Sequence, residues 1–217
     1  MDRGRILRAT VSHVKKKMDG EATGHDWWHV YRVWKSSIKI ARRENGADLF
    51  VVQLGALLHD IEDWKFSGDI HAGAKAARAW LGKNGADDKT IKNVCEIVDN
   101  VSFKGAGVKD VMKSKEGRIV QDADRLDALG AIGIARAFAY GGHKERPIYD
   151  PEVKPKYSGD FASYRKSRSH TVNHFYEKLL LLKPRMHTHE GKRLARRRDA
   201  FMREYLKRFF EEWEGKD

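Results

Sequence analysis

The sequence predicts an all-α fold, and two observations carry that prediction. Apolar residues recur at intervals of three and four over most of the 217 residues, which is the spacing of one face of an α-helix. No segment alternates strictly between apolar and polar residues with β-branched side chains, so no strand is predicted. Since no Pro/Ser-rich linker divides the chain, we expect a single domain over residues 1–217.

The first half of the chain contains five predicted helices. In the third, Asp48 is the predicted N-cap, because its carboxylate can accept hydrogen bonds from the free amides of a first turn. The same helix contains LFVVQLGALL, which is apolar nearly all round and is therefore expected to be buried on most sides. The predicted helices cover residues 3–18, 25–41, 49–59, 71–81 and 88–101.

The second half begins with one predicted helix over residues 119–138 that is rich in small side chains. A long loop rich in Gly, Pro and charge follows over residues 140–160. Two long helices finish the chain, so that a core of about residues 20–140 carries C-terminal helices over about residues 160–214. Their apolar residues recur at three and four: Phe161, Tyr164, Val172, Phe175, Leu179 and Leu182 in one helix, and Leu194, Phe201, Tyr205, Phe209 and Trp213 in the other.

The composition limits the classes of protein to consider. The 43 Lys and Arg residues exceed the 31 Asp and Glu residues, and the net charge of +12 favours anionic partners such as phosphorylated metabolites or nucleic acid. The longest apolar run is too short to span a bilayer, and the first residues lack the apolar stretch of a signal peptide, so no membrane association is expected. A single cysteine, Cys95, excludes an internal disulfide framework and Cys-rich zinc sites, and it suits the cytoplasm.

The stretch GHDWWHVYRVW contains two histidines, His25 and His29, that share one face of a helix because they are four residues apart. The spacing is that of the zinc-protease motif H-E-x-x-H, with the shorter acid Asp26 in place of glutamate. We expect the tryptophans of this stretch to pack the helix rather than to stack on nucleic-acid bases: Trp27, Trp28 and Trp34.

A second stretch, LLHDIED, places His59 and Asp60 at the end of the most apolar helix. Burying a carboxylate there without a partner costs several kcal/mol, so Asp60 needs a cation or a full set of hydrogen bonds. A divalent metal with the neighbouring imidazole as co-ligand meets this requirement, and so does an ion pair with an arginine.

A third stretch, RIVQDADRLDALGAIGIAR, contains a further acid that is expected to face the core. Helical periodicity places Asp124 on the small, apolar side with Asp127 one turn on, whereas Asp122 points elsewhere. The alternative is that these acids lie near a helix N-terminus, where the helix dipole favours them.

Taken together, the three stretches run in the order His, His-Asp, Asp. In this the chain resembles the HD-domain superfamily of metal-dependent phosphohydrolases, whose signature is H…HD…D on a helical bundle, and within it the small bacterial YpgQ/YedJ-like subgroup. The likeness extends from about residue 24 to 213 and includes HAGAKAARAWL, VSFKG, DADRLDALGAIGIARAFAYGG and HFYEKLLLLKPRMHTHEGKRLARRR. The resemblance implies an HD-domain helical bundle.

The resemblance also implies a metal site. The ligands would be His29, His59, Asp60 and Asp124 around one divalent ion, with His25 one turn away as a phosphate or water contact. Two imidazoles and two carboxylates suit Mn²⁺, Mg²⁺, Fe²⁺, Co²⁺ or Ni²⁺, and the ligand types do not choose among these ions. We expect Mn²⁺ or Mg²⁺ first.

The activity implied is hydrolysis of a phosphate ester or anhydride in a nucleotide, with cleavage of a nucleoside triphosphate to monophosphate and pyrophosphate as the leading version. Other HD enzymes carry a glutamate three residues after the HD aspartate. Here Asp63 takes that position and Glu62 precedes it, so either acid is a candidate proton carrier. Arg32 and Lys65 flank the ligand stretches and are candidate polyphosphate-binding residues.

Three alternatives stay open at this point. One is another phosphomonoesterase or phosphodiesterase activity of the same family, and another is a regulator without catalysis. The third is a nucleic-acid-binding protein that uses the basic segment GKRLARRRDAFMREYLKRF, although the apolar stripe of that segment indicates packing. A zinc protease is disfavoured because H-D-x-x-H lacks the glutamate.

Overall fold

The computed structural model describes residues 1–19, 26–62, 69–157 and 169–216, and these residues confirm the all-α fold. They form helices joined by turns and loops, and no strand occurs among them. They fall into two compact units, one of Met1–Phe103 and Lys109–Asp124 and the other of Lys104–Val108 and Arg125–Asp217. The single domain over residues 1–217 stays a prediction. None of the helices in the described ranges combines the length and apolarity needed to cross a membrane.

The first unit contains the five helices predicted for the first half of the chain, with bounds that agree within two residues. A sixth helix, α6, continues into the second unit with its last three residues. The six helices are α1 (Arg3–Lys17), α2 (Trp27–Ala41), α3 (Leu49–Leu58), α4 (Ala72–Lys83), α5 (Asp88–Asn100) and α6 (Lys115–Asp127).

Four of these helices begin after an aspartate whose carboxylate accepts a hydrogen bond from a first-turn amide. The predicted N-cap of α3 is confirmed, since Asp48 Oδ1 lies 2.9 Å from the Phe50 amide nitrogen. Asp2, Asp26 and Asp87 cap α1, α2 and α5 in the same way.

Helix α3 forms the core of the first unit. It packs against α1, α2 and α5, and eight of its ten residues are buried, as the apolar run predicts. The approach to α5 is close at Gly55, where an added Cβ would lie 2.9 Å from Ile97 Cδ1. Because other helices surround α3, His59 at its C-terminal end is held among packed helices.

The single helix predicted over residues 119–138 is wrong. The chain forms α6 and then α7 (Gly130–His143), with a break at Ala128 and Leu129. Gly130 adopts φ +75°, a backbone conformation that residues other than glycine rarely adopt. At Gly133 an added Cβ would lie 2.3 Å from the Ala128 carbonyl oxygen, so a side chain at residue 133 would collide with the backbone of the break.

The second unit contains α7, α8 (Thr171–Glu177), two short 3₁₀ turns and α9 (His189–Trp213). The long helix predicted to reach Leu182 ends at Glu177 instead, and the 3₁₀ turns Leu179–Leu181 and Lys183–Arg185 follow it. Three residues per turn still bring Leu179 and Leu182 to the same buried side, which explains why the sequence spacing looked helical. The earlier part of that predicted helix, including Phe161 and Tyr164, lies outside the described residues.

The last predicted helix is confirmed as α9, which packs on α7. Within its predicted apolar stripe, Tyr205 stacks on Phe175 with ring centroids 6.1 Å apart. Phe201 and Trp213 are 53% and 49% exposed, so the expectation that the whole stripe packs is wrong for these two residues. The buried Asp199 binds Lys183 at 2.6 Å and Arg203 at 2.9 Å. These contacts anchor one side of α9 and leave its other side to solvent.

Candidate metal centre

Three elements of the first unit bring four predicted ligands together. His29 lies in the first turn of α2, His59 ends α3 and is followed by Asp60, and Asp124 lies near the end of α6. Both imidazoles are buried, with 1% of each side chain exposed. The carboxylates of Asp60 and Asp124 are 24% and 27% exposed, so the centre opens to solvent on their side.

The separations between these side chains are those expected of atoms around one common centre. His29 Nε2 and His59 Nε2 are 3.2 Å apart. Asp60 Oδ2 lies 3.4 and 3.5 Å from these two nitrogens, and Asp124 Oδ1 lies 3.5 and 3.8 Å from them. Metal–ligand bonds of about 2.1 Å separate neighbouring ligand atoms by about 3.0 Å in an octahedron and about 3.4 Å in a tetrahedron.

A backbone contact orients the ring of His59. Its Nδ1 lies 2.9 Å from the carbonyl oxygen of Ala56 and donates to it, so Nε2 is the nitrogen that faces His29 and the carboxylates. A group made of imidazole lone pairs and carboxylate oxygens is held together by a cation. A backbone carbonyl behind a histidine is also the usual support of a metal ligand. The donor set therefore fits a divalent ion.

Among the described residues, only His29, His59 and Asp124 form a group of three or more His, Cys, Asp or Glu with ligand atoms all within 4.8 Å of one another. The two oxygen–nitrogen distances of Asp60 place it beside this group. His71 is instead paired with Asp99 at 3.1 Å on the surface of the unit. The arrangement supports one ion at this place.

The acid in H-D-x-x-H has a structural role. Asp26 Oδ1 accepts a hydrogen bond from the His29 amide at 2.9 Å and so caps α2 at the residue that enters the centre. Sequence reasoning missed this role and that of the Ala56 carbonyl. The position of Asp26 two residues before an apolar helical repeat is a usable N-cap signal, whereas no sequence signal marks a backbone carbonyl. His25 lies outside the described residues.

The expectation that Asp122 lies off the buried side of its helix is wrong, because it is fully buried. Helix α6 is covered on several sides, as consecutive residues from Ile119 to Ala123 are all buried, so a single buried stripe does not describe it. Asp127 is not part of the donor group; it forms an ion pair with Arg136 at 2.9 Å.

The remaining predicted site residues are less closely tied to the centre. Glu62 is exposed and forms an ion pair with Lys17 of α1. Arg32 is half-buried and lies three residues after His29, hence on the same side of α2. Asp63 and Lys65 lie outside the described residues.

The tryptophans of the first motif differ in their environments. Trp27 is buried, and Trp34 donates a hydrogen bond to Gln53 at 3.1 Å, as expected of packing residues. Trp28 is 59% exposed and touches Tyr31 edge-on, so the expectation that it packs in the interior is wrong.

Comparison with known proteins gives a consistent family. Residues 27–129 match the HD domain. YpgQ of Bacillus subtilis is 35% identical over 206 residues, which cover 94% of this chain and 92% of YpgQ. A crystal structure of YpgQ in complex with ADP matches with a TM-score of 0.76 and 32% identity over 98% of this chain and 96% of that one.

Two further crystal structures have the same fold. A Lactobacillus plantarum protein matches with a TM-score of 0.86 and 35% identity over 96% of this chain and 97% of that one. An HD-superfamily hydrolase from Bacillus thuringiensis matches with a TM-score of 0.75 and 38% identity over 98% of both chains. The chain therefore belongs to the HD-domain superfamily of metal-dependent phosphohydrolases.

Proposed function

We propose that this protein hydrolyses a phosphate anhydride in nucleotides with one divalent ion bound by His29, His59, Asp60 and Asp124. The observation that carries the proposal is the spacing of 3.2–3.8 Å between the two imidazole nitrogens and between those nitrogens and the carboxylate oxygens. Mixed nitrogen and oxygen ligands suit Mn²⁺, Mg²⁺, Fe²⁺, Co²⁺ or Ni²⁺, and we propose Mn²⁺ or Mg²⁺ first. When bound, such an ion polarises a phosphoryl oxygen and makes water a nucleophile near neutral pH.

The side chains of the centre divide into a buried half and an exposed half. The two imidazoles form the buried half and are held in place, because His29 lies in a capped first turn and His59 donates to the Ala56 carbonyl. The exposed carboxylates of Asp60 and Asp124 border the side from which substrate and water enter. A phosphoryl group therefore approaches on the carboxylate side.

The proposed substrate class is supported by the net charge of the chain and by the ligand of a related protein. The net charge of +12 favours polyanionic ligands, and YpgQ was crystallised with ADP. The leading reaction is hydrolysis of the α–β anhydride of a nucleoside triphosphate to give monophosphate and pyrophosphate. Other phosphomonoester or phosphodiester hydrolysis is the alternative reaction of the same centre.

Two acids are candidates for carrying the proton, and three residues are candidates for binding phosphate. Glu62 already pairs with Lys17 in the described structure, which leaves Asp63 as the first choice of proton carrier. Arg32 is the best-placed phosphate-binding residue of the described chain, because it lies one turn after His29 on α2. His25 and Lys65 are proposed from the resemblance alone.

The test combines metal content with product analysis. The purified protein is stripped of metal, reloaded with Mn²⁺, Mg²⁺, Fe²⁺, Co²⁺ or Ni²⁺, and assayed for pyrophosphate and phosphate release from nucleoside triphosphates, diphosphates and monophosphates. We expect one ion per chain and pyrophosphate release from triphosphates. His29→Gln and Asp124→Asn should each lower activity by roughly 100-fold or more, since even the residues that support metal ligands contribute 10–100-fold.

Matched controls separate the centre from general damage. His71→Gln and Asp88→Asn change the same residue types at exposed positions outside the donor group, and both should keep full activity and metal content. Phosphate release without pyrophosphate would replace the leading reaction by the alternative one. Absence of hydrolysis with every metal and nucleotide, in a protein that still binds one ion, would instead indicate a regulator without catalysis.

A further inference from the structure

We infer that the exposed side of α9 is a binding surface for the phosphate backbone of a nucleic-acid duplex. The surface is a stripe of five exposed residues, Lys192, Arg196, Ala200, Arg203 and Lys207, which we call the basic stripe. Helical geometry places all five within about 80° of the helix circumference and along about 22 Å of its axis. This inference goes beyond the proposed hydrolase activity.

The buried side of α9 explains why the basic stripe is free to bind. Ala195, Met202 and Leu206 are buried in the second unit, so packing uses one side of the helix only. Packing of α9 through these three residues is therefore compatible with a basic function of the exposed residues of the helix. The motif GKRLARRRDAFMREYLKRF carries both.

The acids of α9 leave most of the stripe's charge uncompensated. Lys192 and Arg196 form no ion pair with any residue in the described ranges. Arg203 shares the buried Asp199 with Lys183, and Lys207 lies 3.8 Å from the exposed Glu211. The side chains of Arg203 and Lys207 are nevertheless 55% and 67% exposed, so both cations stay accessible to an anionic ligand.

The shape of the stripe favours a duplex over other anionic partners. A helix that binds a membrane surface presents large apolar side chains to the lipid, and the basic stripe contains no apolar residue larger than Ala200. Proteins that bind single strands use aromatic platforms, and the stripe contains no aromatic residue. The small Ala200 lies midway along the length of the stripe, where it leaves room for a phosphate backbone beside the cations.

The test measures binding of the full-length protein to a labelled double-stranded DNA of about 20 base pairs by fluorescence anisotropy. If all four cations contact phosphates, the slope of log K against log salt should be about −3.6. Lys192→Ala with Arg196→Ala should reduce the slope by about 2 and weaken binding by roughly tenfold or more near 0.1 M salt. Nucleotide hydrolysis should be unchanged in this variant.

The control is Lys89→Ala with Lys92→Ala, which removes the same charge from exposed positions of α5. It should keep affinity within about twofold, since only net charge changes. The inference is overturned if the wild-type protein does not bind the duplex at low salt, or if both double variants lose affinity equally. It is also overturned if phosphatidylserine vesicles bind and the stripe variant loses vesicle binding while duplex binding stays unchanged.

Discussion

Replacement of Asp124 by asparagine should change the free energy of unfolding in opposite directions without and with a divalent ion. Asp124 Oδ1 is 3.5 and 3.8 Å from the two imidazole nitrogens, longer than a good hydrogen bond. Its carboxylate therefore gains little there and adds a second negative charge to a centre that already holds Asp60. Asp124→Asn removes this charge at constant shape, so we expect a change within about 1 kcal/mol of zero or on the stabilising side.

A bound divalent ion reverses this effect of Asp124→Asn on the free energy of unfolding. At an ion concentration of about 100 times its Kd, the wild-type protein gains about 2.7 kcal/mol. In a chain of this length that gain raises Tm by about 5–11 °C. A variant that binds the ion roughly 100-fold more weakly gains only about 0.4 kcal/mol at the same concentration. Asp124→Asn should thus be less stable than the wild-type protein with metal and equally or more stable without it.

Thermal unfolding in EDTA and in a concentration series of MnCl₂ and MgCl₂ measures both halves of this prediction. Asp88→Asn is the control and should show the wild-type rise in Tm. The reasoning is refuted if Asp124→Asn loses several kcal/mol in EDTA, as expected for a broken buried ion pair with a protonated histidine. It is equally refuted if neither ion raises the Tm of the wild-type protein.

Two further predictions concern the second unit. Burial acts to raise the pKa of Asp199, but hydrogen bonds from Arg203 and Lys183 outweigh it and hold the pKa below the ordinary value. Its stabilising contribution is therefore complete above the unfolded-state pKa and is lost as pH falls through the lower folded-state pKa. Asp199→Asn should lower the free energy of unfolding by about 2 kcal/mol at pH near 7 and by less in acid. The loss is moderate for a buried carboxylate because the two cations are partly exposed. Urea unfolding at both pH values measures this. Gly130→Ala should lower the free energy of unfolding by about 1–2 kcal/mol because Gly130 has φ +75°. The control Gly82→Ala, at a site with open space, should cost nothing. Equal Tm values for the two variants would contradict this prediction.

Helix positions in the first unit could be predicted well because local signals agree with packing there. Asp48 is both a good N-cap and the start of an apolar run, so the bounds of α3 follow from sequence. Where tertiary contacts determine the end of a helix, local sequence signals predict the wrong helix bounds. The small residues around Gly130 favour a continuous helix, and the break depends on a backbone conformation that only glycine tolerates easily.

The candidate centre could be predicted from the order of its residues rather than from local pattern. His29, His59, Asp60 and Asp124 were chosen by resemblance, and their side chains lie together. Periodicity alone misplaced Asp122, because a helix covered on several sides has no single buried stripe. The general tendency of tryptophan to pack in the interior misplaced Trp28, which lies on the solvent side of α2.

Anomalous diffraction from crystals grown with Mn²⁺ tests the metal centre most directly. We expect one strong peak in the first unit, about 2.0–2.3 Å from Nε2 of His29 and His59 and from carboxylate oxygens of Asp60 and Asp124. A peak that contacts neither imidazole would contradict the account. So would fully loaded protein with no peak at this centre.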